Sequence, residues 1–291
     1  MTAASSDPES LGALIKRFQL QANKRLGQHF LLDPNLLARI VAAAGELAGR
    51  TVVEVGPGPG GLTRALLASD AARVIAIERD PRCVEALAEL TAQAKGRLQV
   101  IEADALTIDL ATLTPDRLSV VANLPYNIGT ALLLRWLGAL ERIDRLTLMF
   151  QREVAARLVA PPGSRTYGRL SVLVQWLCDA RCLMNLPARA FVPPPKVASS
   201  LVQLTPRPTP LAPADKAVLE RVLAAAFGQR RKMLRVSLKR LTNQPEVLLE
   251  AANLPPTARA EQIDVIGFCR LANAYAASRA AAPVSDASGT G

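Results

Sequence analysis

The sequence predicts an α/β fold, in which a doubly wound parallel sheet is followed by a small all-helical domain. Short β-branched or apolar runs alternate with helical segments up to about residue 204, and this alternation is typical of strand–helix–strand units. A glycine-rich turn, residues 56–61, separates the first run of the predicted sheet from the helix after it. Beyond about residue 215 the chain keeps a helical pattern and carries no strand signals.

Each predicted strand is a short run bounded by turn signals. Strands are predicted at residues 51–55, 73–77, 98–101, 118–122, 146–150 and 199–204. Helices are predicted at residues 11–20, 34–44, 62–68, 81–93, 130–140, 153–159 and 170–178. Asp33 suits the N-cap of the helix that Pro34 begins. Residues 191–196 include three consecutive prolines, which lack backbone donors, so we expect a stiff extended loop there rather than regular structure.

Changes in composition divide the chain into four predicted parts. Residues 1–22 form a partly flexible N-terminal extension, 23–206 the α/β domain, 207–279 the helical domain and 280–291 a disordered tail of small residues. Prolines at 206, 208, 210 and 213 mark the linker between the two domains.

Charge and residue counts limit the classes of protein that fit this chain. The 291 residues carry a net charge of +10, which favours a polyanionic partner. The four cysteines show neither a disulfide framework nor paired zinc spacing, and His29 is the single histidine. We therefore expect free thiols in a reducing cytoplasm and no metal site. No signal-peptide pattern and no apolar run of the ~20 residues that a membrane helix needs is found, so we expect a soluble protein without a membrane partner.

The glycine turn is the first indication of a ligand. Gly56, Gly58 and Gly61 fit the spacing GxGxxG, in which backbone amides approach a ligand closely. Glu78 follows at the distance where an acidic residue binds a ribose diol. This pattern suits NAD or FAD as well as S-adenosylmethionine, and a solvated carboxylate at a strand end is the structural alternative for Glu78.

The next two strand ends favour a methyltransferase over a dehydrogenase. The third strand leads to Asp104, which suits an adenine amino group and equally suits a helix N-cap. The fourth leads into Asn123-Leu124-Pro125-Tyr126, whose amide and carbonyl oxygens can accept hydrogen bonds from an amino group while Tyr126 stacks on a flat ring. A dehydrogenase needs a well-placed acid such as histidine, whereas His29 precedes the predicted sheet. The pattern indicates a cofactor pocket with an amino-group target.

A basic stretch lies in the helical part of the chain. Residues 228–240 carry six cations and no acid. On a continuous helix, Arg231, Arg235 and Lys239 would share one face. Like charges one turn apart repel each other, so a counter-anion is expected, and RNA phosphates fit. The alternative is a solvated helix face.

Taken together, these segments resemble the KsgA/RsmA family of ribosomal RNA adenine dimethyltransferases. The resemblance spans about residues 20–275 and rests on KRLGQHFL at 24–31, EVGPGPGGLT at 54–63, Glu78, DAL at 104–106, NLPYNI at 123–128, YGRLS at 167–171, FVPPPKV at 191–197 and QRRK at 229–232 with Leu238. It implies a Rossmann-like class I S-adenosylmethionine-dependent methyltransferase domain with a small C-terminal all-helical domain. The implied reaction is N6,N6-dimethylation of two adjacent adenosines in the 3′-terminal hairpin loop of small-subunit rRNA, late in 30S biogenesis.

The resemblance also implies the roles of individual residues. Contacts to S-adenosylmethionine are implied for His29, Leu31, Gly56, Glu78, Asp104 and Asn123, with Glu78 on the ribose hydroxyls and Asp104 on the adenine amino group. The target adenine would be held by the catalytic residues Asn123, Leu124, Tyr126 and Phe191. RNA contacts are expected at Arg230, Arg231, Lys232 and Arg235. His29 departs from the common family pattern, which has Asn at this position.

Three other functions stay open at this level. An Erm-type enzyme would dimethylate a large-subunit rRNA adenine, although Leu124 and the QRRK segment favour the small-subunit reaction. A non-catalytic ribosome-assembly or RNA-binding factor could use the same fold, and a dinucleotide oxidoreductase is the third alternative. We expect a cytoplasmic monomer whose partner is small-subunit rRNA within the 30S particle.

Overall fold

The computed structural model describes residues 10–20, 22 and 27–281. The predictions for residues 1–9 and 21 of the N-terminal extension, for Lys24 and Arg25, and for the tail from residue 282 lie outside these residues. The last helix continues to Ala281, so the first two residues of the predicted tail are helical.

All six predicted strands are present, and the described residues form three further strands that the sequence did not predict. In chain order the strands are β1 (Phe30–Leu31), β2 (Thr51–Val55), β3 (Arg73–Glu78), β4 (Leu98–Glu102), β5 (Leu118–Asn123), β6 (Ile143–Gln151), β7 (Cys178–Leu186), β8 (Phe191–Val192) and β9 (Ser199–Pro206).

The helices follow the predicted segments with small shifts at their ends. They are α1 (Leu11–Arg17), α2 (Pro34–Ala43), α3 (Gly61–Leu67), α4 (Pro81–Ala86), α5 (Ala88–Gln93), α6 (Gly129–Trp136), α7 (Arg152–Leu158), α8 (Arg169–Leu177), α9 (Lys216–Gly228), α10 (Leu234–Ser237), α11 (Pro245–Ala251) and α12 (Val265–Ala281). The Asp33 side chain caps α2 as predicted, accepting hydrogen bonds from the next turn.

The main sheet is mixed rather than fully parallel. Its strand order is β4-β3-β2-β5-β6-β9-β7. The five strands from β4 to β6 in this order are parallel to their neighbours, whereas β9 runs antiparallel to β6. Strands β2, β3 and β5 are buried, with Val52, Val53, Ile75 and Leu118 wholly inaccessible, as expected for strands covered on both faces.

The two strands β1 and β8 form a small antiparallel ribbon that the sequence did not predict. Phe30 pairs with Val192, and Leu31 pairs with Phe191. The expectation of a loop over 191–196 is therefore wrong for its first two residues. The prolines remove donors only from residue 193 onward, so Phe191 and Val192 keep the backbone N–H groups that a ladder requires.

The described residues fall into two compact units. The first comprises the chain up to Ala155 together with Ala180–Pro206, and the second comprises Ala156–Asp179 and the chain from Arg207. The predicted linker begins where the chain passes from Pro206 to Arg207, but residues 156–179 group with the second unit instead of the α/β domain. The reason is that α8 packs against α9 and α12. None of the described helices is both long enough and apolar enough to cross a lipid bilayer.

Candidate active site

A cleft in the first unit opens at the carboxyl ends of the parallel strands. It is lined by β1 and the residues before it, the glycine turn after β2, the end of β3, the segment after β4 and the loop after β5. The predicted site residues that line it are His29, Leu31, Gly56, Glu78, Asp104, Asn123, Leu124 and Tyr126. Parallel strands end at one edge of a sheet, which brings residues distant in sequence together.

Glu78, the last residue of β3, is a buried carboxylate and not a solvated one. Only 5% of its surface is exposed. Its Oε1 accepts hydrogen bonds from the backbone N–H groups of Arg79 and Asp80 at 2.8 and 2.9 Å, and its Oε2 accepts one from Gly58 at 3.0 Å. Burial raises the pKa of this carboxyl, although the three backbone donors oppose the rise. A carboxylate fixed in this way can offer its remaining lone pairs to ligand hydroxyls.

The glycine turn brings the backbone close to its neighbours. Gly56 and Gly58 have φ angles of +71° and +55°, which L side chains rarely adopt. A Cβ at Gly58 would lie 2.8 Å from the Phe30 ring, whereas a Cβ at Gly56 would have Pro125 as its nearest neighbour at 3.5 Å. Glycine at 58 is therefore required both by the backbone conformation and by the ring packed against it.

Asn123 joins the loop after β5 to the residues before β1. Its Nδ2 donates to the backbone carbonyl of His29 at 2.9 Å, which leaves Oδ1 of the same amide for an amino-group donor. The His29 Nδ1 atom lies 2.8 Å from the carbonyl oxygen of Pro193. This contact requires a proton on Nδ1. The Asn123 amide, whose Oδ1 is the predicted acceptor in the cleft, is thus oriented by the hydrogen bond of its Nδ2.

Tyr126 presents an anchored aromatic ring in the same cleft. Its ring centroid lies 5.3 Å from that of His29, with 32° between the planes, and its hydroxyl is hydrogen-bonded to the hydroxyl of Ser199. Burial raises the pKa of the phenol, while the bond with Ser199 opposes the rise. The ring is therefore neutral near pH 7 and suits stacking on a base.

The Asp104 carboxylate accepts hydrogen bonds within its own turn and also lines the cleft. Its Oδ1 accepts from the Leu106 N–H at 3.0 Å, and its Oδ2 accepts from Arg79 Nη1 at 3.1 Å. No helix among the described residues begins directly after Asp104, so the carboxylate closes a turn and is not the helix N-cap of the structural alternative. A carboxylate has about four acceptor sites, so these two bonds leave room for an amino group. Arg79, which the sequence did not single out, also lines the cleft.

Comparison with known proteins decides the family of this chain. The family model described as ribosomal RNA adenine dimethylase matches residues 19–277. The chain belongs to this family.

Relatives and solved structures agree with the assignment to the adenine dimethylases. The ribosomal RNA small subunit methyltransferase A of Ruegeria sp. (strain TM1040) is 57% identical over 266 residues, covering 90% of this chain and 95% of that protein. The protein of the same name from Rhodospirillum rubrum is 57% identical over 268 residues, covering 92% of this chain and 93% of its own.

Two solved structures confirm the predicted fold class. A dimethyladenosine transferase from Plasmodium falciparum has a TM-score of 0.69 at 27% identity, covering 84% of this chain and 96% of that chain. The 23S rRNA methyltransferase ErmE has a TM-score of 0.67 at 28% identity, covering 85% and 99%. The identity to ErmE is thus far below that to the small-subunit methyltransferases, and the comparisons do not favour the Erm alternative.

Glu54 is a second buried carboxyl in the cleft of this dimethylase, and the sequence-based predictions missed it. It lies in β2, is 2% exposed and accepts a hydrogen bond from Thr63 Oγ1 at 2.7 Å. Burial raises its pKa from 4.5 to about 8, the Thr63 bond opposes the rise and Glu78 adds to it. The signal that could have identified Glu54 was an acidic residue inside an otherwise apolar strand. A carboxyl buried there needs a hydrogen-bond partner or a proton, which marks it as an unusual group.

We expect Glu54 to make the dimethylase less stable as the pH rises towards 8. Between pH 4.5 and about 8 the folded state binds more protons at this site than the unfolded chain does. The contribution of Glu54 to the free energy of unfolding is complete below pH 4.5 and is lost as the pH rises through about 8. The loss is on the order of a few kcal/mol. Glu54→Gln imitates the protonated form, so its free energy of unfolding should fall less between about pH 6 and pH 8.5. Urea unfolding across this range measures the difference, and equal slopes for both proteins would contradict the raised pKa.

An ion pair next to Glu78 anchors the loop that carries His29. Arg82 Nε and Nη2 donate to Asp80 Oδ1 and Oδ2 at 3.0 and 2.7 Å, and Gln28 Nε2 donates to Asp80 Oδ2 at 3.2 Å. The Arg82 side chain holds the pKa of Asp80 below its usual range. A lowered carboxyl pKa makes stability depend on pH only in the acid range. Asp80 therefore does not contribute to the loss of stability that Glu54 is expected to cause as the pH rises towards 8.

Phe191 does not line the cleft, in contrast to its predicted stacking role. It is 1% exposed and lies in the apolar core with Leu37 and Leu201. Its pairing with Leu31 in the β1–β8 ribbon holds it there. In this structure its side chain packs the ribbon against the core, and the expectation that Phe191 covers one face of the target base stays a prediction.

The basic stretch is not one continuous helix. Helix α9 ends at Gly228 and α10 spans only Leu234–Ser237, so the predicted common face of Arg231, Arg235 and Lys239 is wrong. Arg230 Nη2 donates to the carbonyls of Ser164 and Arg165. Glycine favours helix termination, which explains the break. The side chains of Arg231, Lys232 and Arg235 are exposed, whereas Arg230 is partly engaged within its own unit.

Proposed function

We propose that this chain transfers methyl groups from S-adenosylmethionine to N6 of two adjacent adenosines in the 3′-terminal hairpin loop of small-subunit rRNA. The proposal rests on one observation, that a single cleft contains three groups of the required kinds. Glu78 is a buried acceptor for ribose hydroxyls, Asn123 is an acceptor for an amino group, and Tyr126 is a ring for stacking. The 57% identity to small-subunit methyltransferases supports the choice of substrate. We further propose that the protein acts as a cytoplasmic monomer on the 30S particle.

The cleft fits the cofactor of this family. Glu78 accepts hydrogen bonds, as ribose hydroxyls require, and Asp104 accepts, as an adenine amino group requires. Leu31 and the Gly56 turn contribute the apolar and backbone surfaces beside them. When bound, S-adenosylmethionine supplies an electrophilic methyl group on a sulfonium centre that carries its own leaving group.

Alignment of the target amine is the task left to Asn123 and Leu124. The lone pair of an adenine N6 is delocalised into the ring, so the amine is a weak nucleophile. Asn123 Oδ1 and the Leu124 backbone carbonyl would each accept one N–H of the amine and draw the nitrogen towards tetrahedral geometry. Alignment of this kind can lower a barrier by ~7–11 kcal/mol. Leu124 itself is 2% exposed, so its side chain fixes the loop while its carbonyl acts.

Tyr126 would hold the base that has left its stack. Stacking on an aromatic ring is worth ~1–3 kcal/mol per base, and removal of the base from an RNA stack is required before its amine can be reached. A methylated amine is strongly acidic while it is cationic, so its proton can pass to water and the cleft need not provide a base.

Methyl transfer to defined ribosomal particles tests the proposed function. The purified chain is incubated with radiolabelled S-adenosylmethionine and under-methylated 30S subunits, mature 30S subunits or 50S subunits, and modified sites are mapped by primer extension. We expect label only in the under-methylated 30S subunits, at two adjacent adenosines. Label in the 50S subunits would indicate an Erm-type reaction, and cofactor binding without transfer would indicate a non-catalytic factor.

Exposed cations of the second unit are expected to bind rRNA, as part of a proposed RNA-binding domain at residues 207–279. Reversing the charges of Arg231 and Arg235 to Glu should weaken RNA binding and flatten its salt dependence, because fewer phosphate counterions are released. Binding measured against salt concentration gives both quantities.

A matched control keeps the net charge change constant. Arg221 and Arg279 are also exposed in the second unit but lie outside the basic stretch, and their reversal to Glu should leave RNA affinity closer to that of the wild type. If both double variants lose the same affinity and slope, the effect is one of net charge and the basic stretch is only a solvated surface.

A further inference from the structure

Ser199 is a buried hydroxyl whose partner is the aromatic residue of the cleft. It is the first residue of β9 and has no exposed surface. Its Oγ is hydrogen-bonded to the hydroxyl of Tyr126. Tyr126 follows β5, so this bond fixes the far end of a loop side chain to a rigid strand of the same sheet.

A second contact restrains the same ring from the side. The His29 ring lies 5.3 Å from that of Tyr126, and His29 Nδ1 is bound to the carbonyl of Pro193. Pro193 begins the short segment that follows β8, and this segment leads directly into Ser199, the first residue of β9. The segment therefore restrains Tyr126 twice, directly at its hydroxyl through Ser199 and indirectly through the His29 ring.

We propose that Ser199 is a positioning residue for the methyl transfer, which holds the Tyr126 ring in its place beside the target adenine. The proposal rests on the proposed function, since it assigns Tyr126 to the base. The hydroxyl oxygen of a tyrosine lies on the χ2 axis, so its hydrogen bond to Ser199 restrains χ1 and fixes the direction in which the ring points. The His29 ring beside it limits the rotation of the ring plane about χ2. Misalignment of a bound substrate reduces the chemical step more than binding, so the effect of losing Ser199 should fall on kcat.

The neighbouring Ser200 provides a matched control for the role of Ser199. It is also buried in β9, and its Oγ donates to Asn185 Oδ1 at 2.7 Å. The two serines thus have the same size, strand and burial but different partners. A purely structural requirement for a satisfied hydroxyl at this strand end would affect both, whereas a role through Tyr126 affects only Ser199.

The test is a double-mutant cycle on methyl transfer to under-methylated 30S subunits. Ser199→Ala and Tyr126→Phe should each lower kcat about tenfold, the size expected for one lost hydrogen bond. The double variant should be no slower than either single variant because both remove the same bond. Ser200→Ala should stay within about twofold of the wild type, and the dissociation constant for S-adenosylmethionine should not change in any variant.

A readout independent of activity accompanies the cycle. The chain has three tyrosines, so protein labelled with ¹³C at tyrosine Cζ gives three signals, and Tyr126→Phe identifies the signal of Tyr126. Ser199→Ala should shift this signal and Ser200→Ala should not. Additive losses in the cycle, an equal loss in Ser200→Ala or an unshifted Tyr126 signal would each overturn the positioning role. Absence of methyl transfer by the wild type would instead overturn the proposed function.

Discussion

Replacement of Asn123 by alanine is expected to lower kcat for methyl transfer by ~10²–10³-fold, the loss seen when a hydrogen-bonding group aligned with the reacting centre is removed. The alanine lacks the Oδ1 acceptor proposed for the target amine and the Nδ2 donor that now binds the His29 carbonyl. RNA affinity should persist because the proposed phosphate contacts lie elsewhere in the chain. Single-turnover kinetics on under-methylated 30S subunits and RNA binding to the same particles measure both quantities.

Asn273→Ala is the control for this substitution. Asn273 also donates its Nδ2 to a backbone carbonyl, that of Pro213 at 2.9 Å, but it lies in the second unit. Its loss should leave kcat within about twofold of the wild type, since hydrogen bonds of this type mainly affect stability. If Asn123→Ala loses RNA binding and activity to the same extent, or lowers the melting temperature as its only effect, Asn123 is structural.

Replacement of Glu78 by glutamine is expected to raise the dissociation constant for S-adenosylmethionine about 100-fold, because a hydrogen bond to a charged group is worth ~1.5–3 kcal/mol. A glutamine amide has a single acceptor oxygen. Its NH₂ group would face a donor, either the N–H of Gly58 or those of Arg79 and Asp80. The variant should therefore lose the order of the glycine turn together with the ribose acceptor. Calorimetric titration with the cofactor measures the change.

Glu102 is the matched control for Glu78. It ends the neighbouring strand β4, opposite Glu78 in the register, and is exposed. Glu102→Gln should bind the cofactor as the wild type does. An unchanged dissociation constant in Glu78→Gln would remove Glu78 from the cofactor site and leave it only the role of tying β3 to the glycine turn.

The parts of the site that the sequence predicted are those fixed by local patterns. A strand followed by Gly56 and Gly58 determines a turn, and an apolar run that ends at Asn123 determines where the next loop begins. The parallel arrangement then brings Glu78, Asp104 and Asn123 to one edge without any further information. This is why most of the expected cofactor residues line a single cleft.

The parts that the sequence did not predict depend on contacts between distant segments. Phe191 is drawn into the core by its ribbon partner Leu31, and no local signal states that a proline-rich loop begins with a strand. The polar partners of Arg230 and Tyr126 are equally remote, at Ser164, Arg165 and Ser199. Strand β7 was missed because its exposed and partly exposed residues, with Arg181 and Cys182 at the centre, break the apolar pattern of a buried strand.

The ribbon of β1 and β8 has a consequence for the order of events during synthesis. His29 and Pro193, joined by a hydrogen bond beside this ribbon, are 164 residues apart in the chain, and contacts of such separation form only after the whole intervening chain is available. When β2 to β6 of a nascent chain have emerged from the ribosome, Asn123 is available. The segment that orients His29 and Tyr126 is then still missing. From the roles proposed for these residues, we expect catalytic competence only after residue 199 has emerged and β9 can pair with β6.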